Sequence, residues 1–170
     1  MQTLERLAER VAYWTGICVI VLVAAFTLVV SVSVLLRYGF SLGIDWSEEL
    51  SRYLMIWMGF LGASLALRNG AHVGVDMVRR ALPRSIRRLV ILTGSATCLG
   101  FFVVVAYQGI HLVGMVWPQP SLVLPVSMSW PYLAIPLGAI LMIIQLVPIT
   151  IREWRTGTFA HVSEAEERLT

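Results

Sequence analysis

The sequence predicts an all-α integral membrane protein with four transmembrane helices and both termini in the cytoplasm. Three observations carry this. The 170 residues are 58% hydrophobic and 14% charged, whereas a soluble domain carries about 25% charged residues and buries one face of each element. Polar residues are too few here to coat a soluble core. Apolar runs of membrane length recur along the chain, and the basic residues, thirteen arginines and no lysine, sit in short blocks beside those runs. That placement is a topology signal and not a basic groove, so nucleic acid is not an expected partner.

The spans follow in order. Val11 to Leu36 holds 26 residues without a charge. A signal-peptide core is about 7–15 residues and ends in a cleavage site, so this longer run, closed by "LLRYGF", stays in the bilayer as span one. About 20 residues cross the hydrocarbon, and the second span is placed at about 50–67. An arginine-rich loop follows, "RNGAHVGVDMVRRALPRSIRR". From Leu89 to Ile151 the chain has no Asp, Glu, Lys or Arg over 63 residues, enough for two spans. The proline- and serine-rich "WPQPSLVLPVSMSWPY" divides them, giving spans at about 89–117 and 129–151. Ser129 and Pro131 suit the first turn of the fourth. Pro136 is expected to bend that span and Pro148 to help end it. The membrane domain thus covers 1–155, and 156–170 is a short cytoplasmic tail whose Ser163 and Glu166 form a capping box.

Arginine bias sets the orientation. The loop between spans two and three carries Arg68, Arg79, Arg80, Arg84, Arg87 and Arg88, the N-terminus Arg6 and Arg10, and the tail Arg152, Arg155 and Arg168. The other side has Arg37 and Arg52. The positive-inside rule therefore puts both termini in the cytoplasm. Trp117, Trp130 and Tyr132 then form an aromatic belt at the outer interface.

The entry to span two, "DWSEELSRYL", concentrates charge where membrane helices usually have none. Asp45 is placed to cap the helix, with Glu48 as the capping-box acid. Glu48 and Glu49 lie four and three residues before Arg52, so both are within reach of it on the helix surface. Arg37 emerges on the same side, and Arg37, Asp45, Glu48, Glu49 and Arg52 are read as one charge cluster that joins helices, within the chain or towards another subunit. Further along, Gly59, Ala63 and Ala66 continue the face of Arg52. Small residues at this spacing let another helix approach closely. Trp46, Tyr53, Trp57 and Phe60 are expected on the opposite face, towards lipid or an apolar partner.

No cofactor or metal is expected, and no enzyme. His72 and Asp76, four apart in the cytoplasmic loop, make at most half a metal site and have no second ligand pair. His111 lies near the outer end of span three without an in-membrane partner, as a haem would require. Cys18 and Cys98 sit alone in apolar runs and read as small hydrophobes. Spans one, three and four lack any acid, lysine or arginine, so the ionisable mid-membrane site of an ion-coupled carrier is missing. The alternative from another class is a membrane anchor for a redox enzyme, with His111 and His72 as ligands.

The stretch "RYGF…WSEELSRYLMIWMGFLGASLALRNGAHVGVD", Arg37 to Asp76, resembles the signature region of the small membrane subunit, DctQ type, of TRAP (tripartite ATP-independent periplasmic) transporters. "WPYLAIPLG", Trp130 to Gly138, is similar to the start of that family's last span. The resemblance implies a four-span accessory or scaffold subunit in the bacterial inner membrane. Its partners would be a large DctM-type membrane subunit, which carries the substrate and the coupling sodium ions or protons, and a periplasmic DctP-type binding protein that delivers an organic acid. It also implies that Glu48, Glu49 and Arg52 hold parts together and do not bind substrate.

Overall fold

The computed structural model describes residues 2–68 and 84–156; the loop with His72 and Asp76 and the C-terminal tail lie outside them. The described residues form helices α1 (Gln2–Phe40), α2 (Asp45–Arg68), α3 (Arg84–Val116), the short α4 (Ser129–Tyr132) and α5 (Ala134–Thr156). Four of these units are long and apolar enough to cross a membrane: α1, α2, α3, and α4 joined to α5. Their hydroxyl groups are satisfied within the helix, as a hydrocarbon surrounding demands. Thr15, Thr27, Ser51, Thr97 and Thr150 each donate to the carbonyl four residues earlier at 2.7–3.0 Å.

Helices α1 and α2 form an antiparallel pair joined by residues 41–44. The less exposed positions of α1 are Ala8, Ala12, Thr15, Val19, Leu22, Phe26, Val29, Ser33 and Leu36. They alternate three- and four-residue steps, the seam of a left-handed helix pair, and α1 packs mainly on α2. At 39 residues and 1.5 Å per residue, α1 is ~58 Å long, well beyond the ~30 Å hydrocarbon core. After Phe40 the chain turns through Ser41, which takes a left-handed φ of 55°. The N–H of Leu42 then reaches back to the Leu36 carbonyl at 3.0 Å.

The last span runs between α2 and α3 and also touches α1. It supplies many of the buried positions, among them Ala134, Ala139, Gln145, Ser129, Met142 and Leu146. Met142 and Leu146 cluster with Leu67, against Phe60, Cys98, Leu99 and Phe102. Two glycines permit this closeness. A Cβ on Gly138 would stand 2.7 Å from the Cβ of Phe60, and one on Gly109 would stand 2.9 Å from the Cδ of Pro136. Pro136 also explains why α4 and α5 are separate. It has no N–H to give the carbonyl four residues back, that of Tyr132, and the helix is interrupted at Leu133.

The structure corrects one expectation and narrows two. Pro148 does not end the span, because α5 continues through it to Thr156. A proline leaves one carbonyl unpaired, and the remaining bonds carry the helix on. Of the two surroundings expected for Trp57 and Phe60, lipid or an apolar partner, the last span supplies the second: the indole Nε1 of Trp57 donates to the Trp130 carbonyl at 3.1 Å, and Phe60 fits the notch of Gly138. The small residues that let helices close up within this chain are therefore on α3 and α5. Gly59, Ala63 and Ala66 of α2 are all exposed, and a Cβ on Gly59 would meet nothing within 4 Å.

Gly138→Ala should lower stability in detergent by about 1–3 kcal/mol, because backbone-proximal atoms of Phe60 cannot swing aside. Gly62→Ala, with open space around it, should be neutral or slightly stabilising through helix propensity. Thermal unfolding of the two variants checks this. Equal destabilisation would contradict the notch.

Candidate functional site

The charged entry of α2 resolves into two arrangements on neighbouring sides of the helix. Glu49 and Tyr53, one turn apart, face the connector that links α3 to the last span. Asp45, Glu48 and Arg52 face the open side together with Met55, Gly59, Ala63 and Ala66, and all seven are exposed.

Glu49 is buried to 8% exposure, a position that a carboxylate tolerates only with partners. Four donors converge on it. The Tyr53 hydroxyl donates to Oε1 at 2.7 Å, and the Ser121 hydroxyl donates to the same oxygen. The backbone N–H groups of Val123 and Leu124 donate to Oε2 at 3.0 and 3.2 Å. Tyr53 and Ser121 also meet each other at 2.9 Å. An ionised carboxylate only accepts, and here both oxygens are filled by donors.

The connector is shaped to make those donors available. Pro120 and Ser127 form an isolated antiparallel bridge, with Ser121 N–H on the Val126 carbonyl at 2.9 Å and Met128 N–H on the Gln119 carbonyl at 3.0 Å. This narrow loop leaves the Val123 and Leu124 amides pointing at α2. Its base is held by Ser127, whose hydroxyl donates to the Trp117 carbonyl at 2.8 Å. Beside it, Ser129, 1% exposed, reaches the Val113 carbonyl at 3.3 Å. Glu49 thus pins a loop that begins about seventy residues later to the first turns of α2.

The expected Glu49–Arg52 pair does not form. Arg52 pairs with Glu48 at 3.7 Å, and both side chains are largely exposed, at 62% and 83%. Such a pair is worth about 0–1 kcal/mol. Positions three apart on a helix differ by about 60° in direction, enough here to send Glu49 to the connector while Arg52 stays on the open side. Arg37 and Asp45 stand in no ion pair among the described residues, so the five charges do not form one cluster. Nor is Asp45 seen to cap the helix; the hydroxyl of Ser47 donates to the Ile44 carbonyl at 2.7 Å and meets Ser33 of α1 at 2.8 Å.

A second polar knot closes the opposite end of the bundle. Gln145, 1% exposed, accepts from the Arg68 guanidinium at 3.0 Å and donates to the Ala8 carbonyl at 3.3 Å. Arg68 also lies 3.9 Å from Glu9. One amide therefore ties α1, α2 and α5 together. The sequence reading missed Gln145, Tyr53 and Ser121. A lone amide inside "LMIIQLVPI" was the available signal for the first; nothing local marks the other two. His111 is exposed on α3. No group of three metal-ligating side chains occurs among the described residues.

Four apolar helices, a polar clamp at each end and an open small-residue face define a four-span membrane unit, with no charged residue deep inside its first, third or fourth span. The family described as tripartite ATP-independent periplasmic transporters, DctQ component, matches residues 26–156, and the chain belongs to it. The chain is 33% identical over 122 residues to a putative TRAP transporter small permease protein of Haemophilus influenzae, covering 72% of this chain and 73% of that one. It is 32% identical over 124 residues to the C4-dicarboxylate TRAP transporter small permease protein DctQ of Rhodobacter capsulatus, 71% of this chain but 54% of that protein. A second Haemophilus influenzae small permease protein is 46% identical over 67 residues, 39% of this chain and 41% of the other. The chain thus spans about half the length of two of these relatives. Family membership and four helices of membrane length place the chain in the bacterial inner membrane, and the comparisons give the redox-anchor alternative no support.

Replacing Glu49 by Gln puts an NH2 against donors and should lower the unfolding midpoint in detergent by roughly 5 °C. Glu48→Gln, in the exposed pair, should move it by about 1 °C or less. Equal shifts would contradict the division of the two acids.

Proposed function

We propose that the chain braces a large DctM-type permease subunit and assists cation-coupled uptake of an organic acid that a periplasmic DctP-type binding protein delivers. It is not an enzyme on this reading. The open face of α2 carries the proposal. Every other side of that helix is used within the chain, by α1 and by the last span. The remaining face presents Gly59, Ala63 and Ala66 with nothing against them. In lipid, helices associate through close packing and polar contacts because hydrophobic burial gives no advantage there. A smooth small-residue face bordered by the Glu48–Arg52 pair suits a partner helix with polar groups at one end.

Two relatives support the pairing. The sialic acid TRAP transporter permease protein SiaT of Haemophilus influenzae is 29% identical over 139 residues, 79% of this chain but 22% of that protein. The isethionate TRAP transporter permease protein DctMQ of Oleidesulfovibrio alaskensis is 27% identical over 135 residues, 78% of this chain and 21% of that one. A unit like this chain is there one part of a longer permease polypeptide, as expected of two units that work side by side. The arginine distribution supports cytoplasmic termini. The connector pinned by Glu49 then lies at the periplasmic face, where a binding protein arrives.

Gly59→Leu or Ala63→Leu should reduce recovery of the large subunit in a pull-down by about tenfold or more, as expected when about 1.4 kcal/mol or more of contact is lost. Because these side chains enter open space, the isolated variant should keep its unfolding temperature. Leu28→Ala, on the exposed side of α1, should leave recovery unchanged. Normal recovery with both leucine variants, or an equal loss with Leu28→Ala, would refute this face as the contact. Uptake by the chain reconstituted alone would refute the accessory role.

A further inference from the structure

Where α1 ends and α2 begins, the two helices enclose a cleft of ≈ 380 Å³ on the connector-side end of the bundle. Its apolar wall is Val30, Val34 and Ile44, and its charged rim is Arg37, Asp45 and Glu48. The order of these residues matters. Arg37 is the first charge after the 26-residue apolar run, which places it at headgroup depth. Val30 lies seven residues earlier, about 10 Å further along the helix and inside the hydrocarbon. With Ser33, Ser47 and Ser51 lining it as well, the cleft leads from the charged rim to Val30 and Val34 along the membrane normal, the order of headgroup and chain in a phospholipid.

The rim carries both signs, and two of its charges are left uncombined. Arg37 and Asp45 are exposed and in no ion pair among the described residues. The Asp45 carboxylate is likewise absent from the hydrogen bonds of the helix start, which Ser47 supplies. Glu48 is held to Arg52 at 3.7 Å with most of its surface open, and so offers an oxygen to the cleft. The turn is built to keep this shape. Left-handed Ser41 and the Leu42–Leu36 bond bring Ile44 over the α1 groove, and the Ser33–Ser47 contact closes its base.

We propose that this cleft is a binding site for one zwitterionic phospholipid of the phosphatidylethanolamine class, with the phosphate on Arg37 and the ammonium between Asp45 and Glu48. An anionic headgroup such as phosphatidylglycerol satisfies Arg37 but sets its charge beside two carboxylates. Phosphatidylcholine has the right charges, yet its quaternary nitrogen has no N–H to donate. The expected order is ethanolamine above choline above glycerol. The lipid shares Asp45 and Glu48 with the charged end of the open face of α2, so its binding is tested on the chain without the large subunit, where failure of the docking proposal and failure of this one are distinguishable.

Native mass spectrometry of the full chain, delipidated in detergent and titrated with each lipid, tests this. Phosphatidylethanolamine should bind about tenfold more tightly than phosphatidylglycerol, the scale of one charge-assisted hydrogen bond. Arg37→Gln should weaken phosphatidylethanolamine by a similar factor, and Asp45→Asn should abolish the preference over phosphatidylglycerol. Both side chains are exposed, so the variants should unfold at the wild-type temperature without lipid, a control that separates lost binding from lost folding. Soluble phosphoethanolamine should not compete at millimolar concentration, because it cannot use the apolar wall. Equal binding of the two lipids, an unchanged preference in folded Asp45→Asn, or full competition by the soluble headgroup would each overturn the proposal.

Discussion

The arrangement of this bundle turns on one buried carboxylate. Glu49 is 8% exposed, whereas its neighbours Asp45, Glu48 and Arg52 remain exposed, and a buried ionised group without partners is costly. Its partners are the Tyr53 hydroxyl one turn along α2 and, from the connector, the Ser121 hydroxyl and two consecutive backbone amides. That requirement couples distant parts of the chain. The connector must adopt its bridged, narrow shape for the Val123 and Leu124 amides to point at α2. The last span must then begin beside Trp57, whose indole meets the Trp130 carbonyl. With its start fixed there, the last span lies close against α2 and α3, and Gly138 and Gly109 are the positions where side chains would collide.

The opposite end is held by a neutral amide in place of a carboxylate. Gln145 accepts from Arg68 and donates to the Ala8 carbonyl, so three helices meet at one side chain with its polar atoms used. Between the two ends the contacts are apolar and close, the regime in which membrane helices associate by shape and not by hydrophobic burial. Polar contacts at both ends with a packed middle hold the last span in register along α2. A brace serves a partner by having a fixed shape. This chain fixes its shape on one side of α2 and leaves the other side free, which is why the same helix both organises the bundle and offers the surface assigned to the large subunit.

Much of the fold was legible because the bilayer writes it plainly. Uninterrupted apolar runs and arginine blocks mark helices long enough to cross a membrane, and no tertiary information is needed to see them. The site was only half legible. The spacing of Glu48, Glu49 and Arg52 correctly allowed an ion pair, but spacing alone could not tell which acid takes it. Glu49 is bonded 72 to 75 residues away, and two of its donors are backbone amides, which leave no mark in side-chain identity. What Phe60 packs against was hidden for a related reason. Its place is made by the absence of a side chain at Gly138 on another helix, and helical periodicity in α2 cannot register what its neighbour lacks. The Gly59, Ala63 and Ala66 stripe was visible in the sequence, whereas its openness in the folded chain was not.

Amide hydrogen exchange in the connector tests the central claim most directly. In the wild-type chain in detergent or nanodiscs, the Val123 and Leu124 amides should exchange slowly despite lying in a short exposed loop, because Glu49 accepts from both. In Glu49→Gln they should exchange at least about tenfold faster, while amides in the middle of α2 and α5 keep their protection. Fast exchange of these two amides in the wild-type chain, or unchanged slow exchange in the variant, would contradict the account.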